Sequence, residues 1–345
     1  LKAIRYHGYG SHDVLTLEEV PDPTPGPGEV VIDLRAAAIN HLDIWVREGV
    51  YGDRLKMPHI PGSDGAGVVA EIGPGVRDVA VGEEVVISPG LSCGTCEMCL
   101  KGEDNFCPSY VILGAGPDGT YAERVAVPRQ NLVPKPAGLS FSEAASLPLV
   151  LVTAWHMLHA LAGVRQGETV LVIGGTSGVG SAAIQLARLA GATVIATAST
   201  GKMDRLRTLG PDHVIDHAVE DIRRKVGEIT DRRGVDVVFE HVGKKTWDAS
   251  LKSLRPGGRL VTCGSTSGYD AVTDLRYLYQ RQLRIMGDYM GTKGELLEAW
   301  RLVAAGVVHP FVDRTFPLAQ AADAHAYVEG RMAAGKVVLT IGSEH

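Results

Sequence analysis

The sequence predicts an α/β protein, a small β-rich region followed by a six-stranded, doubly wound parallel sheet. Three observations carry that prediction. Short β-rich runs broken by Gly and Pro fill about the first 130 residues. Beyond about residue 150, apolar strands and helices alternate. A cluster of glycines stands between the first of those strands and its helix.

In the first region, "GEVVIDLRAAAIN", "GAGVVAEIG" and "GEEVVIS" are β-rich, and "PDPTPGPGE" is a rigid connector. They suit a small, partly closed β domain. The second region opens with "ETVLVIGG", a continuous apolar strand, and "VGSAAIQLARLAG", an apolar helix. Strands follow at "ATVIATA", "DHVID", "VDVVFEHVG", "GRLVTCG" and "LRIMGDY", with helices at "KMDRLRTLG", "VEDIRRKVGEIT", "TWDASLKSL" and "TDLRYLYQRQ" between them. Strands apolar on both faces and joined by helices require a parallel sheet covered on both sides. The tail, from "GELLEAWRLVAAG" to "GKVVLTI", returns to the first domain. The division is therefore 1–150 with 291–345, including a cysteine lobe at about 90–110, and 151–290.

With 345 residues, two domains are expected. Forty acids against thirty-four bases give a net charge of −6 with no block of like charge, so nothing marks a nucleic-acid surface. The first residues, "LKAIRYHGYG", lack the apolar core of a signal peptide, and no uninterrupted apolar run approaches a membrane span. A cytoplasmic protein acting on a small molecule, with no nucleic-acid or membrane partner, is the expectation.

"VLVIGGTSGVGSAAIQ" sets Gly174, Gly175, Gly178 and Gly180 between strand and helix. Glycines allow a tight turn and let backbone N–H groups reach a pyrophosphate at the helix N-terminus. The spacing departs from strict G-x-G-x-x-G, and a plain strand-to-helix turn is the alternative. The placement favours a dinucleotide held by Gly174, Thr176, Ser177, Gly178, Val179 and Gly180. At the end of the second strand, an NAD site usually offers a carboxylate to the ribose. Here Ser199, Thr200 and Lys202 stand there, and the first acid is Asp204. They suit a 2′-phosphate, so NADP(H) is preferred over NAD(H); a solvated helix cap is the competing reading.

Cys93, Cys96, Cys99 and Cys107 follow C-x2-C-x2-C-x7-C in a Gly-containing loop. Four thiolates satisfy Zn²⁺ and leave no open position, so such a site staples a loop and does no chemistry. Disulfides are uncommon in a reducing cytosol, and the ferredoxin run has three residues before its last cysteine, not seven. One structural Zn²⁺ is the expectation.

Together, "GSDGAGVVAEIGPGV", the cysteine lobe, "GGTSGVG" and "GKVVLTI" resemble the medium-chain dehydrogenase/reductase superfamily over essentially the whole chain. That superfamily includes zinc alcohol dehydrogenases and quinone oxidoreductases. The resemblance implies a GroES-like catalytic domain, a Rossmann domain, a structural zinc and a homodimer or homotetramer. It also exposes a departure. Of the catalytic zinc ligands of the alcohol dehydrogenases, the first falls at Asn40, the second at Ser63 and the third near Leu149, with Asp64 in place of a Glu. The hydroxyl that relays the alcohol proton falls at Leu42. None of these is a good zinc ligand, although His59 and Asp64 lie close enough in sequence to suggest a weak improvised site.

"IPGSDGAGVV" and "INHLD" look instead like the zinc-independent quinone and enoyl reductases. Hydride transfer to a conjugated carbonyl needs donors for the oxygen, whereas oxidising a plain alcohol also needs a base or metal. Asn40 and Tyr51 are the candidate donors, with Asp64 structural at the pocket floor. Asn40 equally reads as a helix N-cap boxed with Asp43, and Tyr51 as a packing residue of its loop. The resemblance also places His41 at the pyrophosphate, Thr153, Val242, Cys263 and Gly264 beside the nicotinamide and ribose, and Met290 and Lys336 near the cofactor. Cys263 alone would read as core. An alcohol dehydrogenase with unorthodox ligands and a non-catalytic nucleotide-binding or redox-sensing protein are the alternatives.

Overall fold

The computed structural model describes residues 1–342 except Tyr51, Asp53 and Arg54, so the Tyr51 expectation lies outside the described residues. The chain divides into two compact units, Leu1–Leu149 with Thr292–His345, and Val150–Gly291.

In the first unit, a seven-stranded sheet is built on the long strand Glu29–Ala38. The strand is buried along most of its length and ends in three successive alanines, and Asp64–Ile72 and Arg124–Pro128 both pair with it antiparallel. At Gly67 a β-carbon would stand 2.2 Å from Asp33 O, so this crossing admits only glycine. The returning strand Lys336–Thr340 pairs antiparallel with the edge of Glu29–Ala38 opposite Asp64–Ile72, beyond the Arg124–Pro128 pairing, with Val338 opposite Ala38. The tail thus completes the first domain's sheet and carries Lys336 to the end of that strand where Asn40 follows.

The second unit is a six-stranded sheet, parallel throughout. In spatial order its strands are His213–Asp216, Thr193–Ala198, Thr169–Val172, Val235–Glu240, Leu254–Thr262 and Arg284–Gly287. Numbered along the chain this is 3-2-1-4-5-6, the dinucleotide-binding order. Val170, Leu171, Val172, Val237, Val238 and Phe239 are fully buried. Truncating Leu171 to Ala there costs ~2–5 kcal/mol. The fifth strand begins at Leu254, earlier than its apolar run, because Leu254 pairs with Val235 before the register shifts.

One helical stretch, Phe141–Leu161, is long and apolar enough to cross a membrane, although its sequence is interrupted by polar residues. Its most apolar window is 72% buried inside the protein, which is the burial of a core helix.

Candidate active site and metal centre

The residues at the three expected ligand positions converge in the first unit, but on side chains of the protein and not in a zinc-like donor set. Asp64 is fully buried at the start of its strand. Its Oδ2 accepts from Asn40 Nδ2 at 2.8 Å and from Lys336 Nζ at 3.3 Å, and its Oδ1 from the Leu149 N–H at 3.0 Å. Lys336 Nζ also donates to Asn40 Oδ1 at 2.5 Å. Ser63 Oγ donates to Asp43 Oδ1 at 3.2 Å.

Burial is the leading electrostatic influence on each ionisable member. It raises the Asp64 carboxyl and lowers the Lys336 ammonium, and each opposes the shift of the other. It drives Asp43 up to about 6. Two buried carboxylates thus share one lysine, an arrangement that needs its hydrogen bonds to be tolerable.

Asn40 sits at the N-cap of the helix His41–Arg47 and forms the expected capping box with Asp43. Asp43 reaches back, its Oδ2 accepting the Asn40 N–H at 2.8 Å. With Oδ1 held by Lys336, the Asn40 amide orientation is fixed. One Nδ2 hydrogen is spent on Asp64, and the other makes only a 3.4 Å contact with Ala38 O.

Beneath this group lies a chain of buried side chains that motif reading did not reveal. Tyr121 Oη donates to Asp43 Oδ2 at 3.1 Å and lies 3.2 Å from His325 Nε2. Arg47 NH1 lies 3.3 Å from His325 Nδ1 and can only donate, so Nδ1 accepts and Nε2 carries the proton toward Tyr121. Burial, with Arg47 next, lowers His325 to about 3, which keeps it neutral. Arg47 closes on Glu329, whose Oε2 lies 2.9 Å from His12 Nδ1.

The improvised metal site is not formed: His59 Nε2 donates to Gly114 O at 2.9 Å and its Nδ1 lies 3.3 Å from Asp118, while Asp64 is committed elsewhere. Among the described residues, the group of metal-ligating side chains is Cys93, Cys96, Cys99 and Cys107, whose sulfurs all lie within 4.8 Å of one another. Tetrahedral Zn–S bonds of ~2.3 Å imply sulfur–sulfur edges of about 3.8 Å. The measured edges are 3.9 Å (Cys93–Cys99), 3.5 Å (Cys96–Cys99) and 3.6 Å (Cys107–Cys93). The set fits zinc and no disulfide. Backbone amides of Thr95 and Cys96 pull the Cys93 thiol down to about 6. Behind the thiols, Asp104 accepts from the Lys293 N–H at 3.0 Å, and Lys293 Nζ donates to Ser92 Oγ at 3.0 Å, tying the lobe to the helix Lys293–Ala304.

In the second unit the glycine turn links the strand Thr169–Val172 to the helix Gly178–Leu189. Ser177 is its N-cap, Oγ accepting from the Gly180 N–H at 2.9 Å. Gly174 has φ +65°, and a β-carbon on Gly180 would stand 2.4 Å from Gly174 O. Thr176 and Val179 belong to the same turn and first helical turn. Ser199, Thr200 and Lys202 form a short 3-10 turn directly after the strand Thr193–Ala198, with Ser199 at its N-cap and no carboxylate before Asp204.

Thr153 and Met290 are brought together, Thr153 Oγ1 standing 3.8 Å from Met290 Sδ. Val242 follows the fourth strand, and Cys263 and Gly264 follow the fifth; burial raises the Cys263 thiol well above its usual range. In the first unit, His41 packs edge-on against Trp45 with ring centres 5.6 Å apart, and burial lowers its pKa. Lys336 belongs to the buried Asn40–Asp64 group, where two of its hydrogens are already engaged.

This pairing of a strand-rich unit bearing a four-thiol lobe with a dinucleotide-type sheet defines a nicotinamide-dependent oxidoreductase. The family model for the alcohol dehydrogenase GroES-like domain matches residues 26–137, and that for zinc-binding dehydrogenase matches residues 178–305. The chain belongs to the zinc-type alcohol dehydrogenase/quinone oxidoreductase superfamily. It is 34% identical to a 2-haloacrylate reductase of Burkholderia sp over 96% of this chain and 97% of that one. It is 35% identical to a crotonyl-CoA reductase of Streptomyces collinus over 95% and 82%. The solved structure of an NAD-dependent alcohol dehydrogenase is also similar, at 46% identity and a TM-score of 0.96 over 99% of this chain and 100% of that one.

Proposed function

We propose that the protein is an NADP(H)-preferring reductase of α,β-unsaturated carbonyl compounds or quinones, working without a catalytic zinc and stapled by one structural Zn²⁺ on Cys93, Cys96, Cys99 and Cys107. One observation carries this reading. The three positions where the alcohol dehydrogenases carry their catalytic zinc ligands hold Asn40, Ser63 and Leu149, and these are hydrogen-bonded into a buried Asp43–Asp64–Lys336 group. The cation in that group is an ammonium, and an amide, a hydroxyl and a leucine are a poor zinc set. The reductase names of two relatives support the same substrate class.

A bound nicotinamide would supply hydride chemistry, and this chain's own part would be to stabilise the negative charge that builds on the oxygen of a conjugated carbonyl. A preorganised donor in a dry site lowers that barrier. Asn40 is the proposed donor. Lys336 and Asp64 fix its amide plane, and the Nδ2 hydrogen with only a long contact to Ala38 O is the one a substrate can take. The proposed NADP(H) preference rests on Ser199, Thr200 and Lys202 at the end of the second strand, where no carboxylate stands. A cytoplasmic homodimer or homotetramer completes the proposal.

The 46% identity to an NAD-dependent alcohol dehydrogenase favours a second reading, alcohol oxidation with NAD. The test is a panel of quinones, enones, enoyl-CoA thioesters and alcohols with both cofactors. Reduction of a conjugated acceptor, faster with NADPH, is expected. Alcohol oxidation with no reduction of any conjugated acceptor establishes the second reading. Tight cofactor binding with no turnover establishes a non-catalytic role.

A further inference from the structure

The nucleotide turn is gripped by a side chain outside its own loop. His241 directly follows the strand Val235–Glu240, which pairs with Thr169–Val172, the strand that feeds the glycine turn. Strand order reverses between these two neighbours, and open parallel sheets bind their ligands in the crevice at that point. His241 is buried, and its Nε2 lies 3.2 Å from Ser177 Oγ. Its ring also lies against the turn backbone, because a β-carbon on Gly174 would stand 3.1 Å from both Cε1 and Nε2.

The ring is preorganised by what surrounds it. The fully buried Glu240 carboxylate accepts from the N–H groups of Val242 at 2.9 Å and Gly243 at 2.8 Å, and from Thr246 Oγ1. The backbone is therefore pinned on both sides of His241. Phe239 supports the ring edge-on, with ring centres 6.3 Å apart. Ser177 Oγ already accepts from the Gly180 N–H, so its hydroxyl orientation sets the first turn of the helix. A residue that fixes that hydroxyl fixes the amides presented to an anion.

We propose that His241 is a positioning residue of the dinucleotide site, acting through Ser177 to hold the amides of Gly178–Gly180 in the geometry that receives the pyrophosphate. The proposal rests on the cofactor reading above. It assigns His241 a part in cofactor affinity and none in hydride transfer.

The test is calorimetric titration of the purified full chain with NADPH and NADH, and with the adenosine fragment of the tighter one, adenosine 2′-monophosphate or adenosine, which lacks the pyrophosphate. His241→Phe weakens dinucleotide binding about tenfold and leaves fragment binding unchanged. His241→Gln, which keeps a polar group within reach of Ser177, restores most of the loss. Because the effect runs through Ser177, the double variant Ser177→Ala/His241→Phe binds no more weakly than Ser177→Ala alone. Unchanged dinucleotide binding in His241→Phe overturns the proposal. So do equal losses for dinucleotide and fragment, or additive losses in the double variant. If the unmodified protein binds neither dinucleotide, the cofactor reading itself fails, and this one falls with it.

Discussion

Lys336 Nζ and Asn40 Oδ1 lie 2.5 Å apart, both buried, although 296 positions separate them in the chain. The contact joins the strand Lys336–Thr340 to a residue two positions beyond the end of the strand Glu29–Ala38. Through it the ammonium compensates Asp64 and sets the amide that the proposed reaction uses.

Replacing Lys336 by Met leaves Asp64 and Asp43 buried without a countercharge. Removing one partner of a buried ion pair costs ~3–5 kcal/mol. Urea unfolding of Lys336→Met at neutral pH is expected to show a loss of that size; a change under about 1 kcal/mol contradicts the buried-pair description.

Asp43 and His325 give stability an opposed pH dependence. The folded Asp43 carboxyl, at about 6, lies above its ordinary 3.8, so its stabilising contribution is full below about pH 4 and is lost as pH rises through 6. The folded His325, at about 3, lies below its ordinary 6.5, so its contribution is present above that value and is lost as pH falls toward 3. Between about pH 4 and 6 the two partly cancel. Asp43→Asn is expected to make stability fall more steeply on acidification, and His325→Phe less steeply. Unfolding free energies measured from pH 4 to 7 check both slopes, and parallel curves for all three proteins contradict the assignment.

The thiol lobe is expected to hold one zinc per chain. Cys99→Ser replaces a soft ligand within the 3.5–3.9 Å cage and is expected to bring zinc close to zero while lowering the melting temperature. Elemental analysis with a thermal scan decides it. Retained zinc with unchanged stability means the four sulfurs are not a metal site.

At the nucleotide turn, Gly180→Ala drives a β-carbon to 2.4 Å from Gly174 O and is expected to weaken dinucleotide binding at least tenfold. Gly227→Ala is the matched control, in the helix Ile222–Ile229 with nothing within 4 Å of the added carbon. It leaves binding unchanged and adds ~0.5–1 kcal/mol of stability. Equal effects of the two substitutions argue against a phosphate-binding turn.

What the sequence revealed was local. Four cysteines within fifteen residues, glycines between a strand and a helix, and apolar runs at strand length each declare themselves over a short window. The Asn40–Asp43 box was legible for the same reason. The buried chain from Asp43 through Tyr121 and His325 to Arg47 was not legible, because Arg47 and His325 are 278 positions apart. No motif marks them. Glu240, which pins the loop around His241, read only as one residue of an apolar strand. A buried carboxylate shows its purpose only when the amides it receives are in place. Family resemblance places Lys336 near the cofactor, and only the structure reveals the Asn40 and Asp64 atoms that hold it.

The most direct test of the central claim is metal content measured together with turnover. The purified protein is assayed by elemental analysis before and after treatment with a chelator that removes loosely held ions, and reduction of a conjugated acceptor by NADPH is followed in both samples. One zinc per chain with undiminished turnover is the expected result. A second zinc whose removal abolishes turnover, and whose return restores it, would contradict a reaction site organised by Lys336, Asp64 and Asn40.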